Sequence, residues 1–326
     1  MKRILAIVFC VAFVAVSCGK DTVSVADTDT VRLSFAAHAT TRAAEGYESM
    51  VNALDVLIFR GDDGTVEGRA RFDGASAFVD VVTGVALEWH VVANAPEGTF
   101  DEVSSLDSFL ASVYVLENNG NGMVMHAQGH GVFHGDADIS VTLERVLSKV
   151  TLGKVVPSFL GSTYAGSEVY VERIFLVNVD GICLYNGGTI SGGVWYNRMG
   201  LDDEDDDVHR LFVRGIHARA GVSDMDFDVS LYCCPNPVDN GIDSKSEPLW
   251  CARNTRLVIE VSVDGEANYY PLTLGAMEHN TEYVFSEVRL LGPGAESPDM
   301  LPDRDAFSFD VAVNPWIVDR EHELEL

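Results

Sequence analysis

Imidazoles, carboxylates and thiols are the side chains whose spacing here could do chemistry. His126, His130 and His134 recur every four residues. On a helix they would share a face, as zinc ligands can, but Gly129, Gly131 and Gly135 stand among them and disfavour a helix. On a strand they also share a face, yet neighbours then lie ~13 Å apart at ~3.3 Å per residue. One zinc ion needs its ligand nitrogens within ~2.1 Å, so no metal is expected. The run Asp202-Asp203-Glu204-Asp205-Asp206-Asp207 invites calcium. A helix–loop–helix calcium loop needs Gly at its sixth position and Glu at its twelfth. Counted from Asp202 those positions hold Asp207 and Val213, and from Asp203 they hold Val208 and Arg214. The run therefore reads as a solvated acidic loop.

No nucleophile elbow, zincin helix, phosphate loop or dinucleotide fingerprint is present. The Gly-rich stretches from Asn118 to Gly122 and from Gly187 to Gly193 lack the Lys-Ser/Thr ending of a phosphate loop and read as loop tips. Neither a cofactor nor an enzyme activity is expected. A formal charge of −28 argues against a nucleic-acid partner, which would need clustered Lys and Arg. It gives a self-repelling surface, so any self-assembly must draw on apolar contacts and backbone hydrogen bonds.

The thiols depend on compartment. Lys2 and Arg3 precede an apolar run of 13 residues, Ile4 to Val16, shorter than the ~20 that span a bilayer as a helix. The run ends at Ser17-Cys18-Gly19 and resembles a bacterial lipoprotein signal, with Cys18 the lipid-bearing residue. Ala15 stands where such signals usually carry Leu, three residues before the cysteine. Gly19-Lys20-Asp21 resembles the short signal that sends lipoproteins of some gut and oral anaerobes to the outer face of the outer membrane. An exported protein meets conditions that permit disulfides. Cys233 or Cys234 could pair with Cys251, and buried free thiols, Cys183 included, are the alternative.

The elements that must position these residues are strands. Period-2 alternation with Gly, Asp and Asn turns dominates the chain, while helical periodicity is scarce. Val31, Leu33, Phe35 and Ala37 lie on one face of a first strand, followed by a loop at Thr40 to Gly46. Leu54–Phe59 and Thr65–Phe72 flank the turn Gly61-Asp62-Asp63-Gly64. Strands follow at Trp89 to Ala95, Ile139 to Leu143, Val169 to Val179, Phe227 to Tyr232, Arg256 to Val263, Tyr283 to Leu290 and Phe307 to Val313. Ser104 to Ser112 is the one short helix expected, capped by Ser104 or Ser105. The expectation is an all-β protein of β-sandwiches, with a signal peptide at 1–17, a lipoprotein linker at 18–30, and domains at 31–146 and 147–326.

Several segments together resemble the fimbrillin family, pilus subunits of Gram-negative gut and oral anaerobes. They are the lipoprotein cysteine, Thr41-Arg42-Ala43, Leu54-Asp55-Val56-Leu57-Ile58-Phe59 and Val92-Ala93-Asn94-Ala95. They continue with Glu144-Arg145-Val146-Leu147-Ser148-Lys149-Val150, Tyr269-Tyr270-Pro271-Leu272, His279-Asn280-Thr281-Glu282-Tyr283, Val288 to Gly294 and a last strand ending at Trp316. The resemblance implies two β-sandwich domains, the first transthyretin-like. It implies a lipoprotein displayed at the outer membrane, cut by a trypsin-like protease after a basic residue in the loop following the first strand. Here that places the cut between Arg42 and Ala43. Losing the first strand opens an apolar groove that a strand of another pilin subunit fills. Phe307, Phe309, Val311 and Val313 match the first strand's four apolar positions at spacing two, which suits them to strand addition. Ordinary strands of one sandwich are the plainer reading of the same pattern. An uncut, lipidated pilus anchor and a monomeric surface lipoprotein binding glycans or host and bacterial surface ligands are the alternatives. For the latter, Trp195, Tyr196 and Trp250 could stack on sugars.

Overall fold

Alternating sequence becomes paired strand along most of the chain. The computed structural model describes residues 29–39, 47–116, 122–159, 164–190, 194–198, 214–220, 225–302 and 306–316, with backbone alone at 214–220 and at Asp228. The first half contains β1 (Thr30–Ala39), β2 (Ala53–Arg60), β3 (Val66–Asp73), β4 (Ser76–Val82), β5 (Ala86–Ala93), the helix α1 (Leu106–Leu110), β6 (Val113–Val115), β7 (Met125–Val132) and β8 (Ala137–Arg145). The second half contains β9 (Ser148–Pro157), β10 (Val169–Val177), β11 (Val179–Asp180), β12 (Ile182–Leu184), β13 (Trp195–Tyr196), β14 (Arg214–Ala220) and β15 (Met225–Cys233). It ends with β16 (Arg256–Val263), β17 (Glu266–Thr273), β18 (Thr281–Leu290) and β19 (Phe307–Pro315).

The two halves share one topology. In the first, β4-β1-β8 and β3-β2-β5-β7 form one sheet that is continuous only where Met125 and His126 meet Arg145 and Glu144. In the second, the sheets are β15-β9-β18-β19 and β14-β10-β16-β17. β1 runs antiparallel to β4 and parallel to β8. Likewise β9 runs antiparallel to β15 and parallel to β18. Strand β19 is the addition: it has no counterpart in the first half.

One core gathers Val31, Leu33 and Phe35 of β1, Val79 of β4 and Val141 of β8 with Leu54, Val56 and Ile58 of β2. The opposite face of β2 presents Leu57 and Phe59 to a larger core that runs on through β9, β10, β16 and β18. This explains why β2 is apolar at nearly every position instead of alternating. Val146 and Leu147, between β8 and β9, are buried in that larger core.

The expected helix is shorter than its sequence span. Ser105 is the cap: its hydroxyl accepts from the Ser108 backbone N–H, and the Ser108 hydroxyl accepts from the Ser105 backbone N–H. Strands β4, β7, β9 and β17 went unread in the sequence. In β7 the glycines that disfavour a helix serve strand packing. A Cβ on Gly129 would lie 2.2 Å from Cζ2 of Trp89, its neighbour across the ladder.

The histidines separate as strand geometry requires: His126 is buried and His130 exposed on β7, and His134 lies beyond its end. His126 instead meets His90 of β5, Nε2 to Nδ1 at 2.9 Å, beside Phe109 of α1. Burial, with the nearby His90 and His279, pushes His126 down to about 3 from 6.5. Burial also lowers His90, against a smaller opposing pull from Glu88. The sign follows. Between pH 6.5 and 3 the unfolded chain takes up protons that the folded site excludes, so stability is lost as pH falls through that window. Asp55 and Asp180, each raised by burial to about 6, work in the opposite direction. A comparison with His126→Gln isolates the imidazole. The variant should lose less stability between pH 7 and pH 4 than the parent, by an amount on the order of a few kcal/mol, in urea titrations at both values. Equal losses would show that His126 is not the acid-sensitive group.

Candidate assembly site

Two strands carry the site expected from the sequence, and the fold gives them opposite environments. β1 is a central strand, with Thr30–Ala36 bonded to β4 and Leu33–Ala39 bonded to β8. Its four apolar side chains, Val31, Leu33, Phe35 and Ala37, are all buried. Phe35 packs edge-on against Trp89 at 5.6 Å. An open groove of about 500 Å³ flanks the strand, lined in part by Phe35, Phe72, Phe78 and Ile139.

β19 is an edge strand, bonded among the described residues to β18 alone. A bulge in β18 between Phe285 and Val288 divides it in two. On one side of the bulge Phe307 and Phe309 stack on each other at 5.7 Å and contact Tyr270 and Phe285. On the other, Val311 and Val313 are 40% and 58% exposed. These valines line a cleft of about 280 Å³ with Leu274, Ala276 and Tyr283. The apolar face of β19 is thus only half used by its own chain.

The far end of β19 is fastened by residues that the sequence had offered only as pieces of separate motifs. Trp316 is fully buried, stacked on Tyr232 at 5.6 Å, with the Arg145 guanidinium over its ring at 4.8 Å. Its backbone N–H donates to the carbonyl of Asn280 at 2.8 Å, and its carbonyl accepts from Nη1 of Arg145 at 2.9 Å. At the centre stands Glu48, a residue no motif had marked. Its carboxylate accepts from the Tyr232 hydroxyl at 2.6 Å and from Nε1 of Trp316 at 3.1 Å, and pairs with Lys149 at 2.9 Å. Its carbonyl accepts from Nε of Arg145 at 2.9 Å. Burial alone would raise the Glu48 carboxyl, but Tyr232, Lys149 and Trp316 outweigh it and hold the group below its ordinary value. Asn94, held in the left-handed region at φ 62°, ties the next stretch of chain. Its side chain accepts from the Asn52 N–H at 2.8 Å and donates to the Met50 carbonyl at 2.8 Å.

Residues 30–143 match the family model of the major fimbrial subunit protein FimA. Over this span, about a third of the chain, the sequence is similar to the fimbrillin family. No curated protein sequence matches it significantly. Among solved structures, a candidate cell adhesion protein from Bacteroides eggerthii is similar at a TM-score of 0.64 and 16% identity, covering 89% of this chain and 98% of that one. The fimbrilin of Porphyromonas gingivalis W83 gives 0.62 at 14% identity, covering 89% and 99%. The tip fimbrial protein Mfa3 of Porphyromonas gingivalis, with a C-terminal truncation, gives 0.54 at 13%, covering 88% and 100%. At these identities the likeness is one of fold, and it spans both halves of the chain.

The remaining expected site residues distribute unevenly. Cys18, Arg42, Ala43 and the acidic run at 202–207 lie outside the described residues. Arg60, Arg69 and Arg71, the basic residues following Arg42, are engaged. Arg60 pairs with Glu67 at 2.7 Å, Arg69 donates to the Asp101 carbonyl at 2.8 Å, and Arg71 bonds Asp55 and the Ala95 carbonyl. The anticipated bridge from Cys233 or Cys234 to Cys251 is not formed; Cys183, Cys233, Cys234 and Cys251, the cysteines among the described residues, are free thiols here. Cys233 and Cys234 are buried, which raises both thiols, and Cys234 hydrogen-bonds Cys183. Cys251 sits beside Arg253 instead. The aromatic platform also dissolves. Tyr196 is buried, while Trp195 and Trp250 are half-buried and meet edge-on at 5.2 Å, so they cover each other.

Proposed function

We propose that this chain is a structural or adhesive subunit of a surface fimbria, exported as a lipoprotein on Cys18 and cut between Arg42 and Ala43 by a trypsin-like protease. Subunits then join by strand exchange, β19 of one taking the place of β1 in the next, across sandwich domains at 31–146 and 147–326. The family is one of structural fimbrial subunits and not of enzymes, which supports this reading.

The contrast between β1 and β19 carries the proposal. Removing β1 would leave β4 and β8 with unpaired ladders flanking an apolar trough. Burying four such side chains stabilises by roughly 1.5–3 kcal/mol each before ordering costs. In that trough β19 would bond on two sides instead of one, and Val311 and Val313 would leave water. Both changes favour exchange over the resting position.

Intact-mass analysis and N-terminal sequencing of chains from purified surface filaments test it. Filament chains should begin at Ala43 and carry no lipid. Filaments containing only lipidated chains that begin at Cys18 would defeat the maturation route. Lipidated full-length chain confined to the filament base would assign the anchor role instead.

A further inference from the structure

We propose that Glu48 is a latch that holds β19 in its resting place, and that release of β19 is controlled at this residue. Glu48 stands six positions after Arg42 in sequence, at the entry to β2. Its contacts nevertheless reach the opposite end of the chain. It touches Trp316, the residue after β19, directly through the indole. It touches Trp316 indirectly through Arg145, which donates both to the Glu48 carbonyl and to the Trp316 carbonyl.

Apart from its ladder to β18 and the packing of Phe307 and Phe309, β19 is held at Trp316. It is an edge strand, its ladder is interrupted at the β18 bulge, and Val311 and Val313 are largely solvated. Trp316 is the buried anchor beyond that exposed stretch, and one carboxylate joins three groups around it. Tyr232 comes from β15, Lys149 from β9, and Trp316 from the end of β19. Lys149 also reaches Glu282 of β18, so the pair bridges three strands of the sheet that β19 borders. Without the Glu48 carboxylate, Lys149 keeps Glu282 and Arg145 keeps the Glu48 backbone carbonyl, while the Trp316 indole N–H loses its acceptor. The Glu48 contacts therefore act on Trp316 more than on the sheet itself. The latch places control of the donor strand on the segment that follows the expected cut.

Calling this a control of assembly rests on the proposed function; the latch itself can be measured on the uncut monomer. Hydrogen exchange of the full chain should show β19 amides exchanging at least about tenfold faster in Glu48→Ala than in the parent, since the charge-assisted bond to the Trp316 indole is lost. Exchange in β2, β10 and β16 should stay unchanged. Glu48→Gln should fall between, because its amide still accepts from the indole but no longer pairs with Lys149. It also carries the test if the alanine variant does not fold. Unchanged exchange in β19, or an equal rise across β2, β10 and β16, would overturn the latch. Fast β19 exchange in a chain that never forms filaments would support the latch and count against the pilin reading. Slow exchange in one that assembles normally would do the reverse.

Discussion

Replacing Val311 and Val313 together with Asp should, on the proposed function, give a folded chain that is exported and cut but stays monomeric. In the resting chain these side chains are 40% and 58% exposed over an open cleft, so two carboxylates there meet water and cost the monomer little. In the trough vacated by β1 they would enter positions like those of Phe35 and Ala37, which are buried. An unpaired charge in such a site costs several kcal/mol, enough with two to reduce exchange by a factor on the order of a thousand or more. The chain's charge of −28 leaves no surplus attraction to compensate. Phe309 is the weaker choice of target. Its ring lies 5.6 Å from Phe285 and 5.7 Å from Phe307, so a charge there disturbs the monomer as well. Size-exclusion chromatography with light scattering and electron microscopy report assembly, and a thermal melt within a few degrees of the parent certifies the fold. A folded, cut double variant that polymerises at the parental rate would remove β19 as the donor.

The second large effect concerns stability. Asp299, in the connection between β18 and β19, is fully buried with Arg253 and Arg256. Its carboxylate pairs with Nη1 of Arg253 at 2.8 Å and with Arg256, and accepts from Nδ2 of Asn178 at 2.8 Å. Arg256 also donates to the Ile242 carbonyl at 2.6 Å and Arg253 to the Leu249 carbonyl at 3.1 Å, so the triad pins the long 234–255 excursion to the chain that leads into β19. Asp299→Ala leaves two guanidinium groups buried without their counter-charge. Breaking a buried pair this way costs about 3–5 kcal/mol, a large part of the ~5–15 kcal/mol that holds a typical domain. Asp299→Asn, which keeps an acceptor and a similar shape, should lose less. Urea denaturation should show the midpoint falling in that order with an unchanged slope. A midpoint for Asp299→Ala within error of the parent would mean that water reaches the two arginines and the triad is not sealed.

Local sequence determined a good deal of this protein. Strict alternation at positions 31 to 37 makes a strand with one apolar face whatever surrounds it, because side chains on extended backbone point to opposite sides in turn. The same holds for Phe307 to Val313. Ser105 and Ser108 write the start of the helix in four residues, since a cap is a local hydrogen bond. The glycines of β7 hid a strand, because their purpose is the passage of Trp89 from the neighbouring strand, a contact made across 40 positions of sequence.

What alternation could not show is what covers an apolar face, and on this the proposed function turns. The patterns at 31 to 37 and 307 to 313 look alike as sequence. Yet one strand lies between two partners with every apolar side chain buried, and the other hangs on a single partner with half its face in water. Strand order is set by pairings between distant segments, and no residue records its neighbours' identity. For the same reason Glu48 gave no signal. A single carboxylate in a loop is ordinary until the fold brings Lys149, Tyr232 and Trp316 to it from 101, 184 and 268 positions away. Tertiary structure alone decided which strand has two partners and which has one, because that depends on partners and burial and not on the strand's own residues.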